Sequence, residues 1–130
     1  MASIFTRIVK GEIPCYKVAE DEQFLAFLDI NPLAKGHTLV IPKVEIDYLF
    51  DIDDSLLAKM IVFAKKVAKA IDKSTQCTRV AVVVLGLDVP HAHIHLIPMN
   101  SAADINFANP KLKLTKVEFE EVALKISSAI

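Results

Sequence analysis

Three of the four histidines in this chain stand at every second position of one short segment, as His91, His93 and His95. Alternation is the period of a β-strand, so we expect the three imidazoles to share one face while Ala92 and Ile94 point to the core. Imidazole, with an ordinary pKa of about 6.5, can act as nucleophile, base or acid near neutral pH. Rings on one strand face stand roughly 6.6–7 Å apart. That spacing would let His93 attack an electrophile while its neighbours stabilise the departing charge, and it marks this segment as the functional centre.

The composition is typical of a globular domain. The chain has 130 residues, 53% of them hydrophobic and 24% charged, with a net charge of −1. These values predict one domain over residues 1–130 and argue against disorder. No basic excess exists to neutralise a nucleic-acid polymer, although a single small nucleotide would need only a few donors. The sequence shows neither a signal peptide nor an apolar run that could span a bilayer, so we expect no membrane partner and a cytoplasmic location.

The pattern of apolar residues and turn signals predicts an α+β fold. Strands are expected over residues 16–20, 23–29, 37–41 and 78–85 and over the histidine segment. The run 78–85 is apolar enough to predict a buried central strand. One helix should begin after the candidate N-caps at 51–54, and another after the capping-box pattern from Thr115 to Glu118. We therefore predict an antiparallel sheet of about five strands with two main helices.

Four segments of the chain resemble the histidine triad (HIT) family. The segment from His91 to Ile97 is similar to its signature, His-φ-His-φ-His-φ-φ with φ apolar. Residues 3–14 are similar to the opening segment of that family, and residues 26–32 and 36–43 are similar to its next two blocks, in the same order. The resemblance covers roughly residues 3 to 98. It implies a homodimer in which the sheets of the two copies join.

The resemblance also implies a reaction. Family members bind a nucleoside monophosphate conjugate and cleave the bond to its α-phosphate, in a phosphoramidate or a dinucleoside polyphosphate. His93 would be the nucleophile that forms a phosphohistidine, later hydrolysed by water. A main-chain carbonyl at His91 would hold the tautomer of His93, and His95 would donate to a phosphate oxygen. His91 and His37 would orient the site, and no metal or other cofactor would be required.

The nucleoside pocket carries over by position. Asp29 matches the carboxylate that accepts hydrogen bonds from both ribose hydroxyls. An apolar wall implies a loose choice of base. Six apolar residues match that wall, namely Ile4, Phe5, Ile8, Ile13, Phe27 and Ile30.

The sequence departs from the family pattern where the leaving group would sit. Many members carry a polar residue, often glutamine, four positions before the first triad histidine, and this chain has Leu87 there, followed by Asp88. Leucine donates no hydrogen bond, and loss of one such donor lowers a rate by about 100-fold or more. Asp88 could protonate an amine leaving group or repel a polyphosphate. This favours small P–N or monophosphate-linked substrates.

Two alternatives to the metal-free enzyme remain open at this point. Histidines alternating on a strand, with His37 nearby, also have the geometry of a zinc site. Alternatively, the protein binds nucleotides with little turnover and acts through partner proteins. The structural zinc of some relatives is not expected, because Ser3, Thr6 and Glu45 stand at three of its four ligand positions. The role of residues 101–114 is left open.

Overall fold

A five-stranded antiparallel sheet forms the centre of the computed structural model, which describes residues 2–130. Neighbouring strands lie in the order β1-β2-β3-β5-β4, and every pair is antiparallel. The predicted α+β class is confirmed. The strands are β1 (Lys17–Glu20), β2 (Phe24–Leu28), β3 (Thr38–Pro42), β4 (Arg79–Val83) and β5 (Ile94–Met99).

Both predicted helices are present, and each begins at a predicted cap. Asp53 accepts a hydrogen bond from the amide of Leu56 at the start of the first, and Thr115 and Glu118 form a reciprocal capping box at the second. A third, short helix at the N-terminus was not predicted, although Ser3 caps it through the amide of Thr6. The helices are α1 (Ile4–Val9), α2 (Asp54–Ser74) and α3 (Lys116–Ser127).

The two faces of the sheet are covered by different helices. On one face, α2 and α3 pack against β2, β3 and β5 to form the larger core. On the other face, Phe5 of α1 packs with Leu25 and Phe27 of β2 and with Leu39 and Ile41 of β3. Strands β2 and β3 are therefore buried on both sides, and the face below α1 carries the histidines. Of the helices described within residues 2–130, none is long and apolar enough to cross a membrane.

Two predictions about the strands were wrong. The run 78–85 is not a central strand, because β5 pairs with β3 and leaves β4 at the edge of the sheet. Accordingly, Arg79 and Val82 of β4 are exposed and only Ala81 is buried. The histidine strand begins at Ile94 rather than at His91, so that His91 and His93 precede it and only His95 lies within it. The turn from Gly86 to Pro90 extends three residues further than the alternation predicts.

Gly36 positions the chain just before His37. Its φ is +99°, in the region that glycine tolerates and other residues avoid. A Cβ atom at this position would lie 3.2 Å from Cγ2 of Thr75 and 3.3 Å from Cγ of Pro98. Glycine therefore lets the chain pass close to the C-terminal end of α2 as it enters β3. His37, the next residue, is buried.

Candidate active site

The ring of His93 is held in one orientation and one tautomer. Its Nδ1 lies 2.7 Å from the main-chain oxygen of His91. A carbonyl can only accept, so Nδ1 carries the proton and Nε2 keeps its lone pair. The ring of Phe5 packs edge-on against it at a centroid distance of 5.0 Å. His93 therefore presents an unprotonated nitrogen, the requirement for a nucleophilic imidazole.

A chain of hydrogen bonds sets the opposite tautomer at His95. The amide of Leu33 donates to Nδ1 of His37 at 3.0 Å, so the proton of His37 is on Nε2. That Nε2 lies 2.9 Å from Nδ1 of His95 and donates to it. His95 must then carry its own proton on Nε2. One main-chain amide thus makes His95 a hydrogen-bond donor.

The two tautomers place a lone pair and a donor side by side. The ring centroids of His93 and His95 are 5.0 Å apart, and both residues line one cavity. The separation is shorter than the repeat of a strand face because His93 lies before β5. Burial lowers the pKa of His95 to about 4 and that of His37 to about 3, and a neighbouring imidazole adds to each effect. Both rings are therefore uncharged at neutral pH.

His91 connects the nucleophile to the N-terminal helix. Its Nε2 donates to the main-chain oxygen of Pro42 at 2.8 Å, and its Nδ1 accepts from the hydroxyl of Ser3, also at 2.8 Å. The hydroxyl of Thr6 and the amide of Ser3 both donate to Glu45, each at 2.6 Å. The residues at the zinc-ligand positions thus form a hydrogen-bonded network among themselves. It attaches α1 to the histidine whose carbonyl orients His93.

All the predicted pocket residues line one cavity beside these rings, with a volume of about 570 Å³. His37 and His91 are buried and do not line it, and their role in orienting the site stays a prediction. Ile4 and Ile30 are 49% and 66% exposed and form its rim. The predicted residues that line the cavity are Ile4, Phe5, Ile8, Ile13, Phe27, Asp29, Ile30, His93 and His95.

The carboxylate of Asp29 has free acceptor capacity towards this cavity. One oxygen accepts from the amide of Asn31 at 2.8 Å, and the other lies 3.5 Å from Nε2 of His37. That contact is not an ion pair, since His37 is uncharged at neutral pH. Burial raises the pKa of Asp29, and the Asn31 amide partly opposes the shift. Lone pairs therefore remain for a ligand with two adjacent hydroxyls.

Within the described residues, one group of side chains could hold a metal ion, namely Asp29, His37 and His95. Donor atoms of Asp29, His37 and His95 lie within 4.8 Å of one another. The Leu33 amide, however, occupies Nδ1 of His37 and keeps a proton on Nε2. A metal there would have to displace that proton and break the bond to His95. The donor set therefore suits hydrogen bonding better than metal binding, and a metal-free site stays our prediction.

Residues from two loops complete the cavity. Leu87 and Asp88 line the side where the leaving group would sit, and the Leu87 side chain is 86% exposed. Phe107 and Lys111 enter from the segment whose role the sequence left open. Phe107 lies edge-on to His95 with the ring centroids 5.0 Å apart. No periodic pattern marked these two residues, because they lie in an irregular stretch that follows a short 3-10 helix (Ala102–Ile105) and contains Pro110.

Comparisons with known proteins agree with this geometry. A family model described as the HIT domain matches residues 10–102. The chain is 37% identical over 132 residues to the adenosine 5'-monophosphoramidase hnt1 of Schizosaccharomyces pombe, a match that covers 100% of this chain and 99% of that protein. It is 32% identical to the adenylylsulfatase HINT3 of Arabidopsis thaliana, over 98% of this chain and 66% of that one.

The fold of this chain also matches that of solved structures. The crystal structure of a Hit-like protein from Bartonella henselae is similar with a TM-score of 0.86 and 34% identity, over 98% of this chain and 96% of that one. The match extends well beyond the histidine motif, because it includes α1, the whole sheet and both long helices. Sequence, fold and the arrangement of the three histidines lead to one conclusion, that this chain belongs to the HIT family.

Proposed function

We propose that this protein is a nucleotide hydrolase or nucleotidyl transferase. It cleaves the bond between the α-phosphate of a nucleoside monophosphate and its leaving group, through a phosphohistidine at His93. The observation that supports it is that the His91 carbonyl holds the proton of His93 on Nδ1, which leaves Nε2 as the nitrogen available for attack, in the same cavity as the N–H of His95. Relatives named adenosine 5'-monophosphoramidase and adenylylsulfatase support a substrate of this class.

In the first step, Nε2 of His93 attacks the α-phosphorus. A nitrogen–phosphorus bond forms and the bond to the leaving group breaks. The leaving group departs with the electron pair and takes up a proton from solvent water. Positive charge then develops on the His93 ring and is stabilised by the hydrogen bond that Nδ1–H donates to the carbonyl of His91. The N–H of His95 donates to a phosphate oxygen as negative charge grows there.

In the second step, water attacks phosphorus and the nitrogen–phosphorus bond breaks. His93 recovers its lone pair, and the proton of the water leaves to solvent or to the phosphate. The same hydrogen bond from Nδ1 to His91 serves both steps, because the ring never has to change its tautomer. A nucleotide acceptor or an alcohol in place of water would give transfer instead of hydrolysis.

The remaining cavity residues bind the nucleoside in this proposal. The free acceptor positions of Asp29 take the two ribose hydroxyls. The base packs against the apolar side chains of α1 and β2 that line the cavity, including Phe5 and Phe27, whose rings pack edge-on against each other at 5.5 Å. Because these side chains offer no hydrogen-bonding groups to the base, discrimination between purines should be modest.

The test is chromatographic release of AMP from adenosine phosphoramidate, with diadenosine polyphosphate in parallel, both in EDTA. We expect AMP from the phosphoramidate at a rate about tenfold higher or more, because Leu87 cannot donate to a polyphosphate leaving group and Asp88 repels it. Binding of AMP without turnover would instead favour the nucleotide-binding protein that acts through partners. Loss of activity on chelation would contradict the metal-free mechanism.

We also propose that two copies associate through β4, the edge strand. Its outer side is unpaired within residues 2–130, and Val82 there is 56% exposed. Ile61 and Val62 of α2 are 48% and 65% exposed, in a helix that packs against this strand. A bare apolar edge is a template for pairing with another chain. Sedimentation should show a dimer at micromolar concentration, and a monomer would contradict this proposal.

A further inference from the structure

The segment from Ser101 to Leu114 is fixed beside the nucleotide cavity, although it is irregular beyond the 3-10 helix Ala102–Ile105. The amide of Leu112 donates to the main-chain oxygen of Pro32 at 2.8 Å, which ties the segment to the loop that carries Asp29. Within the segment, Nδ2 of Asn109 donates to the oxygen of Ala103 at 2.7 Å. These bonds give the loop a defined path, so the side chains it directs to the cavity are held in place.

Lys111 is held by main-chain carbonyls rather than by an acid. Its Nζ donates to the oxygen of Phe107 and, at 3.0 Å, to that of Asn109. An ammonium group has three N–H donors, so one remains for a ligand. Carbonyls orient the group without neutralising its charge. Among the described residues no carboxylate forms an ion pair with Lys111.

The positive charge of Lys111 offsets the negative charge of the other groups that line the cavity. Two acids line the cavity, Asp29 and Asp88, whereas Lys111 is the single lysine or arginine among the described residues that line it. His95 is uncharged at neutral pH. A nucleotide phosphate entering a site with two carboxylates and no cation would be repelled at short range, in a medium less polar than water. Lys111 is therefore placed to offset that repulsion.

We propose that Lys111 is the cationic group that binds the phosphoryl part of the nucleotide, an assignment that rests on the proposed function. Phe107 covers His95 and His37 with its ring, at centroid distances of 5.0 and 6.2 Å, and its main-chain oxygen holds the lysine. One loop thus excludes water from the histidine pair and supplies the charge for the substrate. Lys111 lines the same cavity as Leu87 and so supplies a polar group to a site that lacks one at position 87.

The experiment compares Lys111→Gln with the unchanged protein in calorimetric binding of AMP and of adenosine. We expect the Kd for AMP to rise about tenfold or more, since a charge-assisted contact to phosphate is lost. The Kd for adenosine should change by less than about twofold, because it carries no phosphate for this charge to attract. Lys113→Gln is the matched control, because it removes the same charge from an exposed position of the same loop.

Three further observations decide the assignment. Lys111→Arg should restore most of the affinity for AMP, and the salt dependence of AMP binding should be weaker in Lys111→Gln. Equal losses for AMP and adenosine, or an unchanged Kd for AMP, would overturn the role of Lys111. If the unchanged protein binds AMP but never releases it from a conjugate, the catalytic proposal fails while the binding assignment is still tested by the same titrations.

Discussion

Replacing His93 with alanine should lower the rate of AMP release from adenosine phosphoramidate by roughly 10⁴-fold or more. The variant removes the nitrogen proposed to attack phosphorus, and His95, the other imidazole that lines the cavity, cannot take its place. The proton of His95 occupies Nε2, and Nδ1 of His95 is engaged by His37. Single-turnover assays in EDTA, which separate binding from chemistry, should show the loss in the chemical step.

Two controls separate nucleophilic catalysis from simple damage to the fold. His93→Gln retains an N–H group that can donate to the His91 carbonyl, yet it cannot attack phosphorus. Both variants should still bind AMP, because Asp29 and the apolar wall are intact. The unchanged protein, quenched during turnover of labelled substrate, should carry phosphorus on a histidine that is stable in alkali and labile in acid. A residual rate within tenfold of the original would rule out His93 as the nucleophile.

Stability should fall steeply as the pH drops from 6.5 to 5. The pKa values of His37 and His95 are lowered to about 3 and about 4 in the folded protein, chiefly by burial. In the unfolded chain both have pKa values near 6.5, so they bind protons at a pH at which the native rings remain uncharged. The free energy of unfolding should therefore decrease with falling pH by roughly 1.4 kcal/mol per pH unit for each of the two protons.

The sign of this change in stability, and the pH range in which it occurs, follow from the pKa shifts. The unfolded state binds more protons than the native state between the unfolded pKa and the folded one, so acid favours unfolding there. Burial also lowers the pKa of His91, which adds in the same direction. The pKa values of Glu20 and Glu45, lowered to about 2, contribute only once the pH approaches their ordinary value of 4.5. Asp29, whose pKa is raised by burial, acts in the opposite direction, and the strongly shifted His37 and His95 dominate the interval between pH 6.5 and 5.

Chemical denaturation at a series of pH values measures this slope. His37→Gln is the informative variant, because an amide has the polarity of the ring but does not titrate. Its slope should be shallower by about 1.4 kcal/mol per pH unit, whatever the change in its absolute stability. A stability that stays flat between pH 6.5 and 5 would contradict the assignment of His37 and His95 as buried neutral rings.

Much of the fold and of the site is readable along the chain because the signals are local. The caps at Asp53 and Thr115 act on amides within three residues, so they predict where α2 and α3 begin. The seven predicted pocket residues all line the cavity, since they belong to segments with a specific family resemblance. Alternation also predicted a shared cavity for His93 and His95, even though the strand begins between them.

Local sequence patterns did not predict the features that depend on contacts between distant segments. Residues 78–85 are as apolar as a central strand, but the position of a strand depends on which neighbour it pairs with. Here β5 binds β3, so β4 becomes the edge. The placement of Phe107 and Lys111 depends likewise on a bond from Leu112 to Pro32 that no periodicity reveals.

The sequence by itself determined the chemistry available to this protein, namely imidazoles that can be nucleophile and donor, a carboxylate and an apolar wall. Only the tertiary structure decided which nitrogen carries the proton in His91 and in His95. The bonds responsible join His91 to Ser3 across 88 residues and His37 to His95 across 58. A tautomer is set by the partner at the other end of a hydrogen bond, and here most partners are distant in sequence.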